Sequence, residues 1–145
     1  MKELSQSLED YLEAVHTLSR GSGSAKACRV GALLGVSKPS VNSAMKALSA
    51  RGLVSQARYG SITLTPSGEK AGAEVASRHS LLKDFFVSIL GLPEADAEKN
   101  ACRAEHALSR EALRRLGGFS LFLKAPARRA TLAAARRSVS GRARK

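Results

Sequence analysis

Apolar positions keep a helical spacing over most of this chain, and the breaks in that spacing mark its elements. Leu8, Tyr11, Leu12, Val15 and Leu18 recur three or four residues apart. They run from an N-cap at Ser7, with Asp10 three residues on, to the breaker Gly21-Ser22-Gly23-Ser24, which predicts a first helix. A short second segment near Arg29–Leu34 stops at Gly35. Ser37 then caps a helix that carries Val41, Met45 and Leu48 on one face and stops near Gly52. Two helices joined by a tight glycine turn have the form of a helix-turn-helix.

The period then changes. Leu53-Val54-Ser55-Gln56 and Ser61-Ile62-Thr63-Leu64 read as strands, with Arg58-Tyr59-Gly60 as the turn, so a two-stranded hairpin, or wing, is expected. From Thr65-Pro66 the helical period returns, with Ala71, Val75, His79, Leu82, Phe86 and Ile89 on one stripe closed by Gly91. Pro93 opens a helix predicted to run to about Leu108, and Ser109 caps a last one toward Phe122. The expected fold is mainly α, with a winged helix-turn-helix over 1–70, a helical domain over 71–124 and a tail over 125–145.

Charge adds a partner to this picture. The 145 residues are 43% hydrophobic and 25% charged, enough for one compact domain or two small ones rather than a disordered chain. There are 24 Lys and Arg against 12 Asp and Glu, a net charge of +12 that points to a polyanion such as nucleic acid. The excess is uneven: residues 1–124 hold 17 basic and 12 acidic side chains, and 125–145 hold seven basic and no acidic ones. An Ala-rich stretch near Ala130–Ala135 could turn helical beside a polyanion, but with few large apolar anchors the tail is read as basic and flexible when free.

Cys28 and Cys102 are too few and too far apart for a disulfide framework or a four-thiolate zinc site, which fits a reducing compartment. The first ten residues lack the apolar core of a signal peptide, and the longest apolar run, around Phe85–Leu92, is far short of the roughly 20 residues that span a bilayer. The expectation is a cytoplasmic protein with no membrane partner.

Two constellations could carry chemistry. Ser37, Lys38, Pro39, Ser40, Asn42 and Ser43 open the second helix of the helix-turn-helix, whose N-terminal residues in this motif meet base edges while flanking donors hold phosphates. The bland reading is an ordinary capped surface helix; the wing and the basic balance weigh against it. Cys102, Glu105 and His106 stand at i, i+3 and i+4, so one helical face offers a thiolate, a carboxylate and an imidazole, a transition-metal ligand set. The alternative is a buried Cys beside two surface polar residues. Asp10 and Glu13 give the first helix an acidic face of the kind that is usually just solvated. His79 on its apolar stripe reads as a hydrogen-bonded core residue, and His16 and Cys28 as structural.

Taken together, Ser-Leu-Glu-Asp-Tyr-Leu-Glu-Ala-Val at 7–15, Gly35-Val-Ser-Lys-Pro-Ser-Val41, Lys46-Ala-Leu48 with Gly52-Leu-Val54, Tyr59-Gly60, Leu64-Thr65, Arg78-His79 and Ala101-Cys-Arg-Ala-Glu-His-Ala-Leu-Ser109 resemble the diphtheria toxin repressor and manganese transport regulator family over roughly residues 3–123. The resemblance implies a homodimer that binds a double-stranded DNA operator through its winged helix-turn-helix. It makes the helical domain a dimerisation and metal-binding domain, with Fe(II) or Mn(II) as corepressor. Zn(II) also suits the ligand set.

In the manganese branch the implied ligands fall at Asp10, Glu13, His79, Cys102, Glu105 and His106, with glutamate at the position of Cys102. In the iron branch Cys102 matches and the position of Asp10 is usually methionine, so this chain is a hybrid. The iron branch's ancillary site uses His79 with an acid and a histidine where this chain has Lys83 and Glu98, so a complete second site of that type is not expected. The basic tail stands where many iron-branch members carry an SH3-like third domain. A metalloenzyme is the rival from another class, but the chain has no His-Glu-x-x-His, no Gly-rich phosphate loop and no nucleophile elbow, so no enzyme is expected. A constitutive DNA-binding protein with a structural metal is the remaining alternative.

Overall fold

The first helix, α1 (Gln6–Ser19), buries the face its sequence marks, with Leu12 and Val15 fully covered and Tyr11 nearly so. Its N-cap is Ser5 rather than Ser7: the Glu9 amide already donates to the Ser5 carbonyl, so the helix begins earlier than the Ser-x-x-Asp pattern suggests. The protein is seen in a computed structural model that describes residues 4–57 and 60–142, in two units, Met1–Ala76 and Ser77–Lys145.

In the first unit α1 is followed by β1 (Ala25–Lys26), α2 (Ala27–Leu34) and α3 (Lys38–Ala50). Gly35 ends α2 at φ 65°, a left-handed conformation in which a side chain would be strained. At Gly31, a Cβ would come within 3.1 Å of the Val36 carbonyl and 3.4 Å of Val41 Cγ2, so a side chain there would crowd the approach of α2 to α3. Val41, Met45 and Leu48 of α3 close a core with α1, Val30 and Ile62.

The wing follows as β2 (Val54–Gln56) and β3 (Ser61–Leu64), paired antiparallel with Ser55 opposite Thr63. Of the turn expected between them, Arg58 and Tyr59 lie outside the described residues. The sheet has three strands rather than two, in the order β1-β3-β2, because Ala25 and Lys26 pair with Ile62 and Ser61. A two-residue strand has no alternation to read, which is why periodicity missed it.

Thr65 then caps α4 (Pro66–Asp84): its hydroxyl accepts from the Gly68 amide at 3.1 Å and donates to the Gly52 carbonyl at 2.6 Å. A Cβ on Gly68 would lie 1.9 Å from the Leu53 carbonyl oxygen, so the start of α4 reaches its place only with glycine there.

In the second unit α4 continues as a π-helical turn, Phe85–Leu90, ended by Gly91 at φ 74°. There follow α5 (Glu94–Ala104), α6 (Arg110–Lys124), a 3₁₀ turn (Pro126–Arg128) and α7 (Arg129–Arg142). Leu82, Ala101 and Leu113 are buried together with Leu81, Phe86 and Leu116 around them.

The helix expected to reach Leu108 stops at Ala104, since Ser109 already caps α6 by accepting from the Ala112 amide and leaves only a short turn between the two helices. The segment read as a flexible tail is helical over most of its length. Leu132, Ala135 and Val139 of α7, with Ile89, Leu90 and Leu123, line an apolar pocket. These few anchors, with the Arg136 guanidinium lying against Gly91, are what the sequence reading undervalued. Of the basic residues assigned to the tail, Arg144 and Lys145 lie outside the described residues.

Candidate metal centre and nucleic-acid interface

The N-terminal end of α3 presents all six residues expected to meet DNA to solvent: Ser37, Lys38, Pro39, Ser40, Asn42 and Ser43 are exposed while Val41, Ala44, Met45 and Leu48 hold the opposite face in the core. Ser37 is the N-cap, its hydroxyl 3.4 Å from the Ser40 amide and 2.9 Å from the Ser40 hydroxyl. A capped, glycine-free first turn with one lysine and no acid is a fixed platform of donors, and a helix N-terminus adds a favourable field for a phosphate.

The second unit brings four of the expected metal ligands together. Glu105 is the centre: the carboxylate is 1% exposed, with Oε2 2.8 Å from His79 Nδ1 and Oε1 3.2 Å from His106 Nε2. Cys102 Sγ lies 3.9 Å from the same His79 Nδ1. Although α5 ends at Ala104, Glu105 keeps helical angles, φ −61° and ψ −28°, so the one-face relation of Cys102, Glu105 and His106 survives the end of the helix. The bland alternative is inverted in the structure: Cys102 is exposed and the carboxylate is buried.

A buried carboxylate is costly unless cationic or donor groups surround it. Two imidazoles, one carboxylate and one thiol at the carbonyl end of a helix form a donor set that fits a divalent transition metal. Arg78 Nη1 reaches the Glu105 carbonyl at 3.5 Å. His79 is hydrogen-bonded, as its place on the stripe suggests, and its partner is the carboxylate of this donor set.

Sequence reasoning gave Lys83 and Glu98 no role of their own. Glu98 Oε1 stands 3.1 Å from His79 Nε2, and Lys83 Nζ donates to Glu98 Oε2 at 2.8 Å. That ammonium, hydrogen-bonded to Glu98, holds the carboxyl below the usual glutamate range, and Glu98 in turn raises Lys83. His79 and Lys83 come from i, i+4 positions on α4 and Glu98 from the middle of α5, so only the tertiary pairing of two helices reveals the group.

Asp10 and Glu13 stand at i and i+3 on α1, in the first unit, both part-buried. His16 on the same helix is 16% exposed, with Nε2 3.8 Å from Glu69 Oε2.

Two family profiles match the chain: "Iron dependent repressor, N-terminal DNA binding domain" over residues 3–62 and "Iron dependent repressor, metal binding and dimerisation domain" over residues 65–128. An uncharacterised helix-turn-helix-type transcriptional regulator of Methanocaldococcus jannaschii is 37% identical over 114 residues, 78% of this chain and 91% of that protein. The transcriptional regulator MntR of Escherichia coli O157:H7 is 34% identical over 106 residues, 73% of this chain and 68% of the relative.

Among solved structures, a manganese-dependent transcriptional repressor in complex with manganese superposes with a TM-score of 0.73 at 28% identity, over 79% of this chain and 53% of that one. IdeR of T. acidophilum shares the fold with a TM-score of 0.68 at 22% identity, over 80% of this chain and 54% of that one. The chain spans about half the length of these two solved proteins.

Proposed function

The chain belongs to the iron-dependent repressor family, and from that premise we propose that it is a metal-dependent transcriptional regulator that binds operator DNA as a homodimer, with Fe(II) or Mn(II) as corepressor. It is a regulator and not an enzyme. The observation that carries the metal reading is the buried Glu105 carboxylate set between His79 and His106, with Cys102 beside them. We assign His79, Cys102, Glu105 and His106 as ligands, and add Asp10 and Glu13 on the family resemblance. Ser37, Lys38, Pro39, Ser40, Asn42 and Ser43 are assigned to DNA, with Lys38 and the α3 amides on phosphate and the remaining side chains toward base edges.

A bound divalent ion would supply concentrated positive charge for donors that otherwise repel one another. The chain's part is to offer that donor set more completely in the state that binds DNA. With the donors so arranged, a bound ion would favour that state by its differential affinity, and by linkage operator DNA would tighten metal binding by the same factor. Two recognition helices reading adjacent half-sites must sit about 34 Å apart, one DNA turn, which a homodimer can set. The soft Cys102 thiolate favours iron or zinc relative to an all-oxygen and nitrogen set, while the carboxylates favour manganese.

The deciding experiment is operator binding titrated anaerobically with Fe(II), Mn(II) and Zn(II), on fragments that include the protein's own promoter. Unchanged affinity after thorough chelation would return the protein to the constitutive reading with a structural metal. Co(II)-substituted protein should show a thiolate charge-transfer band in the near ultraviolet that Cys102→Ala abolishes and Cys28→Ala leaves intact; the reverse would remove Cys102 from the ligand set.

A further inference from the structure

His79 stands between two carboxylates, and the two are not alike. Glu105, at Nδ1, is 1% exposed and shares its other oxygen with His106. Glu98, at Nε2, is 47% exposed and its other oxygen takes a hydrogen bond from the Lys83 ammonium. A neutral imidazole has one lone pair and one N–H to give. If the lone pair goes to a metal ion, the N–H must face an acceptor that is not itself a ligand. The Cys102 sulfur lies near Nδ1, and so does the buried carboxylate; the side of Nε2 holds a carboxylate already engaged by a cation.

We propose that Lys83 and Glu98 form a positioning pair for His79, in which the anchored Glu98 carboxylate accepts the Nε2–H, stays outside the ligand set, and so makes Nδ1 the ligating atom. The proposal rests on the ligand set assigned above. Glu98, His79 and Cys102 lie close enough to be taken for three ligands of one ion. The ammonium argues otherwise: a carboxylate that accepts from Lys83 at 2.8 Å is a poor donor to a second cation, whose charge Lys83 would repel. Fixing a histidine through the nitrogen it does not ligate with selects its tautomer and ring orientation, and losing such a partner weakens metal binding by about 10- to 100-fold.

The test uses the full chain loaded with Zn(II), which is diamagnetic. Two-bond nitrogen–proton correlations of the ¹⁵N-labelled histidines should show His79 coordinated through Nδ1 with the proton on Nε2. Competition with a chromophoric chelator should show Glu98→Ala weakening Zn(II) binding by about tenfold or more, while Glu98→Gln, which can still accept the Nε2–H through its amide oxygen, recovers most of that loss. Lys83→Met should weaken binding by a smaller factor and leave the number of ions per subunit unchanged.

Coordination of His79 through Nε2 would overturn the proposal. So would Glu98→Gln as damaging as Glu98→Ala, the pattern of a lost ligand, or an additional ion per subunit in Lys83→Met, the pattern of a blocked second site. Failure of the underlying ligand assignment has a different signature, Zn(II) affinity unchanged by Glu105→Gln, and it overturns both readings together.

Discussion

The two units are stabilised by different means. The first is closed by a continuous apolar core of leucines, valines and Met45, drawn from three helices and the sheet. In the second, Leu82, Ala101 and Leu113 form a smaller apolar cluster, and a carboxylate is buried between two imidazoles. An apolar core is complete without a ligand, whereas a buried acid with two histidines and a thiol is a set whose electrostatics improve when a cation arrives. The DNA-reading unit should therefore be stable in its own right, and the second should be the one whose stability answers most to metal.

The largest effect expected lies in the first unit. Leu48 is fully buried, and Leu48→Ala should remove about 2–5 kcal/mol of stability through lost transfer energy and the cavity left behind. Denaturant unfolding with and without chelator should give the same loss. A loss that depends on metal would show that the two units are not separately stabilised in the way their cores suggest.

Metal itself is the next lever. An ion at a hundred times its dissociation constant stabilises the state it binds by about 2.7 kcal/mol. Amide hydrogen exchange should show protection rising most in α5, which carries Cys102 and ends just before Glu105, and Glu105→Gln should abolish the rise. Equal gains in α3 and α5 would break the contrast between the units.

The same contrast explains what could be read from the sequence. The first unit was legible because its burial follows simple periods: Val41, Met45 and Leu48 declare the inner face of α3, and Ser37 at its start and Gly52 just past its end declare its boundaries. The pairing of Ala25 and Lys26 escaped, being too short to have a period, and the cap of α1 fell at Ser5 rather than Ser7. In the second unit Cys102, Glu105 and His106 were legible as a face, but not that Glu105 would be buried and Cys102 exposed. Spacing reports which residues share a side of a helix and says nothing of which side another helix will cover. The roles of Lys83 and Glu98 arise from that covering. The packing of α7 was missed for a related reason: a helix was expected there only beside a polyanion, because Leu132, Ala135 and Val139 look like too little until the apolar surface of Ile89 and Leu123 is supplied.

That helix gives a third, smaller effect. Arg129 and Arg137 are exposed, and no acid lies within α7. Arg129→Gln with Arg137→Gln should weaken operator and random DNA by similar factors and flatten the slope of log affinity against log salt by roughly 0.9 for each phosphate no longer neutralised. Substitution is the sharper test than truncation after Lys124, which would also strip the apolar anchors from Ile89 and Leu123. An unchanged salt slope would make α7 a packing element with a solvated basic face; a weakening confined to the operator would show that it reads bases or shape.

The smallest effect is a surface pair of the second unit. Lys124 Nζ donates to both Asp84 oxygens, at 2.8 and 2.7 Å, and the Ser88 hydroxyl donates to Oδ1 at 2.8 Å. The hydrogen bond from Lys124 chiefly holds the Asp84 carboxyl below its usual range, against a smaller opposing effect of burial. Because the folded value is the lower one, the contribution is fully present above the ordinary aspartate pKa and is lost as pH falls through the depressed folded value. Both side chains are well exposed, 45% for Asp84 and 39% for Lys124, so solvent screening limits the pair to about 0.2–1 kcal/mol. Lys124→Met should therefore lower stability by no more than that near neutral pH, less in high salt, and the mutant and parent unfolding curves should converge as the pH is taken well below the ordinary aspartate range. A difference that persists undiminished in acid would mean that Lys124 acts through its alkyl stem against neighbouring apolar surface, and that even the rim of this unit is held by packing rather than by charge.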